Sequence, residues 1–195
     1  MKTKDMVLHA LFIALTLLLG MTPLGLIPLL GFINVTILGI PVIVGTLLFG
    51  LKSGLLFGAC MALSSILSMT GLSPLVPPSG LASALFAASP LSAVFMCLAP
   101  RLMIPVSTHF VYALCARKRP DTKAGVVPAA VAGSLTNTVL YLGLMLLFYV
   151  LAGLDAKPIL GLIGGVGLIA GSLEAVAAAL IATPVTLALR KVKRG

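Results

Sequence analysis

SPLSAVFMCLAPRLMIPVSTHFVYALCARKR, the stretch from Ser89 to Arg119, decides how this chain folds. It is apolar over a membrane-crossing length and carries a guanidinium, that of Arg101, in its interior. An arginine does not lose its proton in a protein. Inside a bilayer it must therefore face protein or a water-filled cavity and find an anion. The rest of the sequence has to supply a partner for that charge, a ligand for it, or both.

The surroundings of this stretch are equally apolar. Hydrophobic residues make up 60% and charged residues 9% of the 195 positions, and the mean hydropathy is +1.23. A soluble domain is only about 45–50% apolar, so the chain reads as an integral membrane protein. Strands of a membrane barrel would alternate polar and apolar residues, and these segments do not. The expected architecture is all-α: a single bundle of six transmembrane helices over residues 5–20, 34–49, 55–69, 91–117, 124–151 and 159–189.

The net charge of +9 sits at the segment ends. Lys2 and Lys4 open the chain, Arg117, Lys118, Arg119 and Lys123 share one loop, and Arg190, Lys191, Lys193 and Arg194 close it. Cytoplasmic loops carry such excess. Both termini and the loop around Pro120 are therefore expected in the cytoplasm, with an even number of spans between them. Anionic lipid accounts for the surplus, and nucleic acid is not needed as a partner. Asp5 interrupts the basic start and no small-residue cleavage pattern follows, so residues 5–20 read as a span and not as a removable signal.

Proline and glycine punctuate the rest. Met21 to Gly31 reads as an apolar outer loop. A tight turn from Gly50 to Gly54 surrounds Lys52. Thr70 to Pro90, with Pro74, Pro77 and Pro78, reads as a long connection packed over the bundle, either a lid or a re-entrant plug. Gly167, Gly171, Ala175 and Ala179 form a ridge of small residues on the last helix, where another helix can approach closely.

Helical rise converts sequence distance to depth. From Arg117 back to Arg101, and from Arg190 back to Glu174, is 16 residues each, or roughly 24 Å at 1.5 Å per residue. Opposite charges on two helices thus share a level in the outer part of the hydrocarbon core. By the same count Asn137 lies roughly 21 Å from the level of Lys123, and Asn34 roughly 27 Å from that of Lys52. Thr138 continues the polar run Ser134, Thr136, Asn137. These residues define an expected outward pocket lined by Asn34, Arg101, Asn137, Thr138 and Glu174. A plainer reading stands beside it: Arg101 and Glu174 only neutralise each other, Asn34 caps the second span, and Asn137 bridges helices.

Chemistry beyond binding finds little support. His9 and His109 stand apart, and Cys60, Cys97 and Cys115 lack metal-ligand spacing, so no metal or cofactor is expected. Ser107 and His109, two apart on a helix, point away from each other, which removes the nearest nucleophile and base pair. No phosphate-binding loop is present for nucleotide hydrolysis. No catalytic residue is assigned. A membrane-embedded enzyme and a ligand-free structural subunit remain as rival classes.

Four stretches carry a resemblance: the Ala10 and Ala14 pair on the first span, PLLGFINVT at Pro28 to Thr36, the turn Ala99-Pro100-Arg101, and GSLTNT at Gly133 to Thr138. With the length and topology they make the chain similar to the substrate-binding S component of energy-coupling factor (ECF) vitamin transporters of bacterial plasma membranes, over all six spans. That resemblance implies capture of a vitamin-like solute from outside. It also implies docking of Ala10 and Ala14 onto a transmembrane coupling subunit that works with two cytoplasmic ATPases. Among substrate groups PLLGFINVT and GSLTNT are most similar to the pantothenate type, with riboflavin, folate and B6-type compounds as alternatives. Arg, Asn and hydroxyl groups also match a small anion bearing amide and hydroxyl groups, whereas three Tyr and no Trp suit a large flat ring less well.

Overall fold

The computed structural model describes residues 3–29, 33–73, 75–76, 79–116 and 123–194. The expected cytoplasmic markers Lys2, Arg117, Lys118 and Arg119, the loop around Pro120, and the side chains of Lys4, Asn34, Lys193 and Arg194 lie outside the described residues. Eight α-helices are described: α1 (Thr3–Met21), α2 (Gly39–Phe49), α3 (Leu51–Met69), α4 (Gly80–Ala88), α5 (Pro90–Cys115), α6 (Lys123–Leu151), α7 (Lys157–Leu162) and α8 (Leu168–Arg194). A π-turn over Ile163–Gly167 joins α7 to α8 without a break.

Among the described residues four helices, α3, α5, α6 and most of α8, are long and apolar enough to cross a membrane, while the apolar parts of α1 and α2 are shorter. Their exposed residues are largely leucine, valine and phenylalanine. Such helices, apolar on all sides, are stable only with lipid or protein around them.

The second span differs from expectation. Helix α2 begins at Gly39, and the backbone of Asn34 lies in a strand. Strands β1 (Leu26–Leu29) and β2 (Ile33–Thr36) pair antiparallel, with Leu26 opposite Thr36 and Leu29 opposite Ile33. Ile33, Val35 and Thr36 are β-branched and favour extended backbone. Pro28 is tolerated because a two-stranded ribbon leaves an unpaired edge. Asn34 therefore does not cap the second span.

Two further expectations shift. Gly50 alone makes the turn from α2 to α3, with φ of 86°, so Lys52 lies in the first turn of α3 and not in a loop. The proline-rich connection contains α4, whose nine residues GLASALFAA carry no proline.

One end of the bundle is tightly tied. His9 Nε2 meets Ser53 Oγ at 2.8 Å, joining α1 to α3. Arg190 of α8 donates to Tyr112 Oη of α5 at 2.7 Å and to the Leu47 carbonyl in the last turn of α2 at 2.9 Å. That carbonyl belongs to the helix end where intrahelical donors run out. A core including Phe12, Ile43, Phe57, Ile104 and Val126 fills this end. A second core, with Leu85 of α4, Met96, Tyr149 and Ile159, fills the other. Tyr149 Oη donates to the Leu81 carbonyl and fastens α4 to α6. Between the two cores the packing opens.

Candidate functional site

Two prolines build the turn that presents Arg101. Both lie inside α5, which continues through them. Pro100 lacks the N–H that would bond the Met96 carbonyl four residues back. Arg101 Nη1 takes up that oxygen at 3.4 Å. Pro105 likewise releases the carbonyl of Arg101 itself, which faces Gly58 of α3. A Cβ at Gly58 would lie 2.6 Å from this oxygen, so glycine is required for α3 to approach.

Arg101 is 9% exposed, and its Nε is buried without a hydrogen-bond partner among the described residues. The guanidinium lies over the Tyr141 ring, 4.6 Å from its centroid. Among the described residues no carboxylate pairs with it. Glu174 is engaged elsewhere: Thr36 donates to its Oε1 through the backbone N–H at 3.0 Å and the hydroxyl at 2.6 Å, and Thr138 donates to Oε2 at 2.9 Å. The reading in which Arg101 and Glu174 merely neutralise each other is therefore corrected. Three donors hold the carboxylate, and an aromatic face holds the guanidinium.

Two cavities flank this arrangement, of about 480 and 410 Å³. Thr36, Leu38, Arg101 and Tyr141 line both. The first extends between α1, α3 and α4, past Ser65, Ser68, Ser79 and Cys97. The second extends between α6 and α8, past Asn137, Thr138 and Glu174. Asn137 Oδ1 is buried there without a partner. Each volume lies within the usual range of small-molecule sites, about 300–1,000 Å³.

Four of the five expected site residues, Arg101, Asn137, Thr138 and Glu174, line the second cavity. The fifth, Asn34, has its side chain outside the described residues. Ala10 and Ala14 are exposed on α1 and line neither cavity. Two residues of the small-residue ridge, Gly171 of α8 and Gly167 at the end of the π-turn, face α6: a Cβ at Gly171 would stand 3.0 Å from Thr138 Cγ2, and one at Gly167 would stand 3.1 Å from Leu142 Cδ1. That closeness lets the Thr138 hydroxyl reach Glu174.

Sequence reasoning missed Tyr141 and Thr36. Tyr141 follows Asn137 by four residues and Thr138 by three, the spacing of one helix face, so its placement was legible. Thr36 lies within PLLGFINVT but gave no sign of its partner. His9 bonds Ser53 and the Asp5 carbonyl and packs against Phe49.

A buried cation, an unpaired amide oxygen and a carboxylate with hydroxyls around it make a site for binding. Residues 4–186 match the family model of the substrate-specific component of ECF transporters, and the chain belongs to that family. It is a multi-pass membrane protein, and its family is the substrate-binding component of a transporter. Over 202 aligned residues it is 29% identical to the pantothenic acid transporter PanT of Lactococcus lactis subsp. cremoris (strain MG1363), covering 98% of this chain and 96% of that protein.

Proposed function

We propose that this chain captures pantothenate from outside the cell and delivers it inward as the solute-binding part of an ECF transporter. The buried guanidinium of Arg101, with an unpartnered Nε and no carboxylate partner among the described residues, carries this reading. A permanent charge at that burial is costly unless an anion meets it. Pantothenate bears a carboxylate at one end, an amide in the middle and two hydroxyls at the other end. Arg101 receives the carboxylate, and Asn137 Oδ1 accepts from the amide N–H. A carboxylate offers about four acceptor positions. Glu174 uses three of them on Thr36 and Thr138, which leaves one for a solute hydroxyl. Among the described residues lining the two cavities, Tyr141 is the one aromatic ring. One face of it already carries the guanidinium, so among these residues riboflavin, folate or a B6-type ring finds little to stack on.

The whole chain acts as one domain of six membrane passes, the short α2 completing its crossing with the β-hairpin. The tied end, with Arg190, Lys191, Lys52 and Lys123, faces the cytoplasm together with both termini, and the cavities open near the outer face. On α1 the exposed Ala10 and Ala14 offer a flat surface to a transmembrane coupling subunit, whose two ATPase partners supply the energy. Isothermal titration of the purified protein in lipid nanodiscs with pantothenate tests the assignment. Arg101→Ala is expected to weaken binding at least about tenfold, or about 1.4 kcal/mol. Absence of binding by the wild type sinks the solute assignment, and full affinity in Arg101→Ala removes the guanidinium from the site.

A further inference from the structure

Arg101 and Glu174 line one cavity, carry opposite charges and do not pair. Left to themselves, two such groups in a low-dielectric space attract strongly. Glu174 is restrained by its three donors. Arg101 is held more loosely by backbone acceptors: among the described residues its guanidinium reaches the Met96 carbonyl at 3.4 Å. What holds it is Tyr141, whose ring lies 4.6 Å below the guanidinium carbon. Arginine stacks well on aromatic faces because the guanidinium is planar and weakly hydrated.

We infer that Tyr141 is a positioning residue that keeps Arg101 from collapsing onto Glu174, and so keeps the guanidinium open to an anionic solute. The reasoning rests on the proposal that Arg101 meets a solute carboxylate. Tyr141 shares a face of α6 with Asn137 and Thr138. One rigid helix therefore sets the spacing between the charge-reading and amide-reading ends of the site. Without the ring, the guanidinium swings to the nearest carboxylate and the protein neutralises its own binding charge. Selection for an acid is lost while the cavity remains.

The test compares pantothenate with pantothenol, in which a hydroxymethyl group replaces the carboxylate. The ratio of the two affinities isolates the anionic end, since the rest of the molecule is common to both. Tyr141→Phe keeps the ring face and is expected to hold this ratio within about twofold, whereas Tyr141→Leu lowers it about tenfold. Tyr141→Met, a longer and more flexible side chain without a flat ring, should behave like Tyr141→Leu. Adding Glu174→Gln to either ring-deleting variant removes the competitor and restores most of the ratio. A ratio unchanged by losing the ring, or a loss that Glu174→Gln does not repair, overturns the inference. A ligand-free measurement separates this outcome from a wrong solute. In arginine-labelled protein the Arg101 Nε–H resonance, one of five in the chain, should shift in Tyr141→Leu and return toward its wild-type position when Glu174→Gln is added. If wild type binds no pantothenate but this shift and return are seen, the solute assignment fails and the positioning role stands. If neither variant moves the resonance, the positioning role fails whatever the solute.

Discussion

The bond between Thr36 and Glu174 joins the end of the β-hairpin to α8 across 138 residues of sequence. Thr36→Val keeps the shape and the backbone N–H bond but deletes the 2.6 Å hydroxyl bond. A hydrogen bond to a charged acceptor contributes about 1.5–3 kcal/mol. Because the site is only partly buried, screening places the expected loss near the lower figure, about 1.5–2 kcal/mol. For a chain of this size that lowers the apparent Tm by roughly 3–8 °C. In a Glu174→Gln background the same deletion removes a neutral bond, about 0.5–1 kcal/mol. The two changes should therefore couple by about 1 kcal/mol, well above the scatter of about 0.3–0.5 kcal/mol for independent sites. Thermal unfolding of the four proteins in nanodiscs, followed by circular dichroism, measures the cycle. Solute release should also quicken in Thr36→Val, because the hairpin loses a tether beside both cavities. Additive changes in Tm, with release unaltered, would refute the view that this carboxylate fastens the hairpin.

Three further outcomes follow from the site. Asn137→Leu removes a buried amide oxygen that has no protein partner, so apparent Tm should hold or rise slightly while pantothenate affinity in a titration falls about tenfold. Gly171→Ala sets a methyl 3.0 Å from Thr138 Cγ2. The threonine must then shift away from Glu174, and affinity should drop about three- to tenfold, with Gly171→Leu worse. Ala10→Trp or Ala14→Trp should abolish uptake in cells while leaving solute binding by the purified protein intact. Normal uptake in both would remove this face of α1 from the docking surface.

The level of the polar cavity-lining groups was legible wherever the helices are continuous. Counting 1.5 Å per residue along α5, α6 and α8 brought Arg101, Asn137, Thr138 and Glu174 to one depth, and all four line one cavity. The same count had no basis at Asn34, because Ile33–Thr36 is a strand paired with Leu26–Leu29 and strands do not advance with helical rise. Helix α4 was hidden by the prolines before it, although its own nine residues contain none.

By itself the sequence determined that this is a helical membrane protein, that a permanent positive charge lies within one of its segments, and that polar residues gather at one depth. These follow from composition, spacing and the cost of charge in hydrocarbon, which are local properties. Only the tertiary structure decided which groups meet. Equal depth does not fix the direction a side chain faces around its helix. That direction came from the close approach of α8 to α6 at Gly171, from the hairpin bringing Thr36 to Glu174, and from the Tyr141 ring beneath Arg101. Packing between distant segments thus left the guanidinium and the carboxylate apart, and that separation makes a chamber out of what would otherwise be a salt bridge.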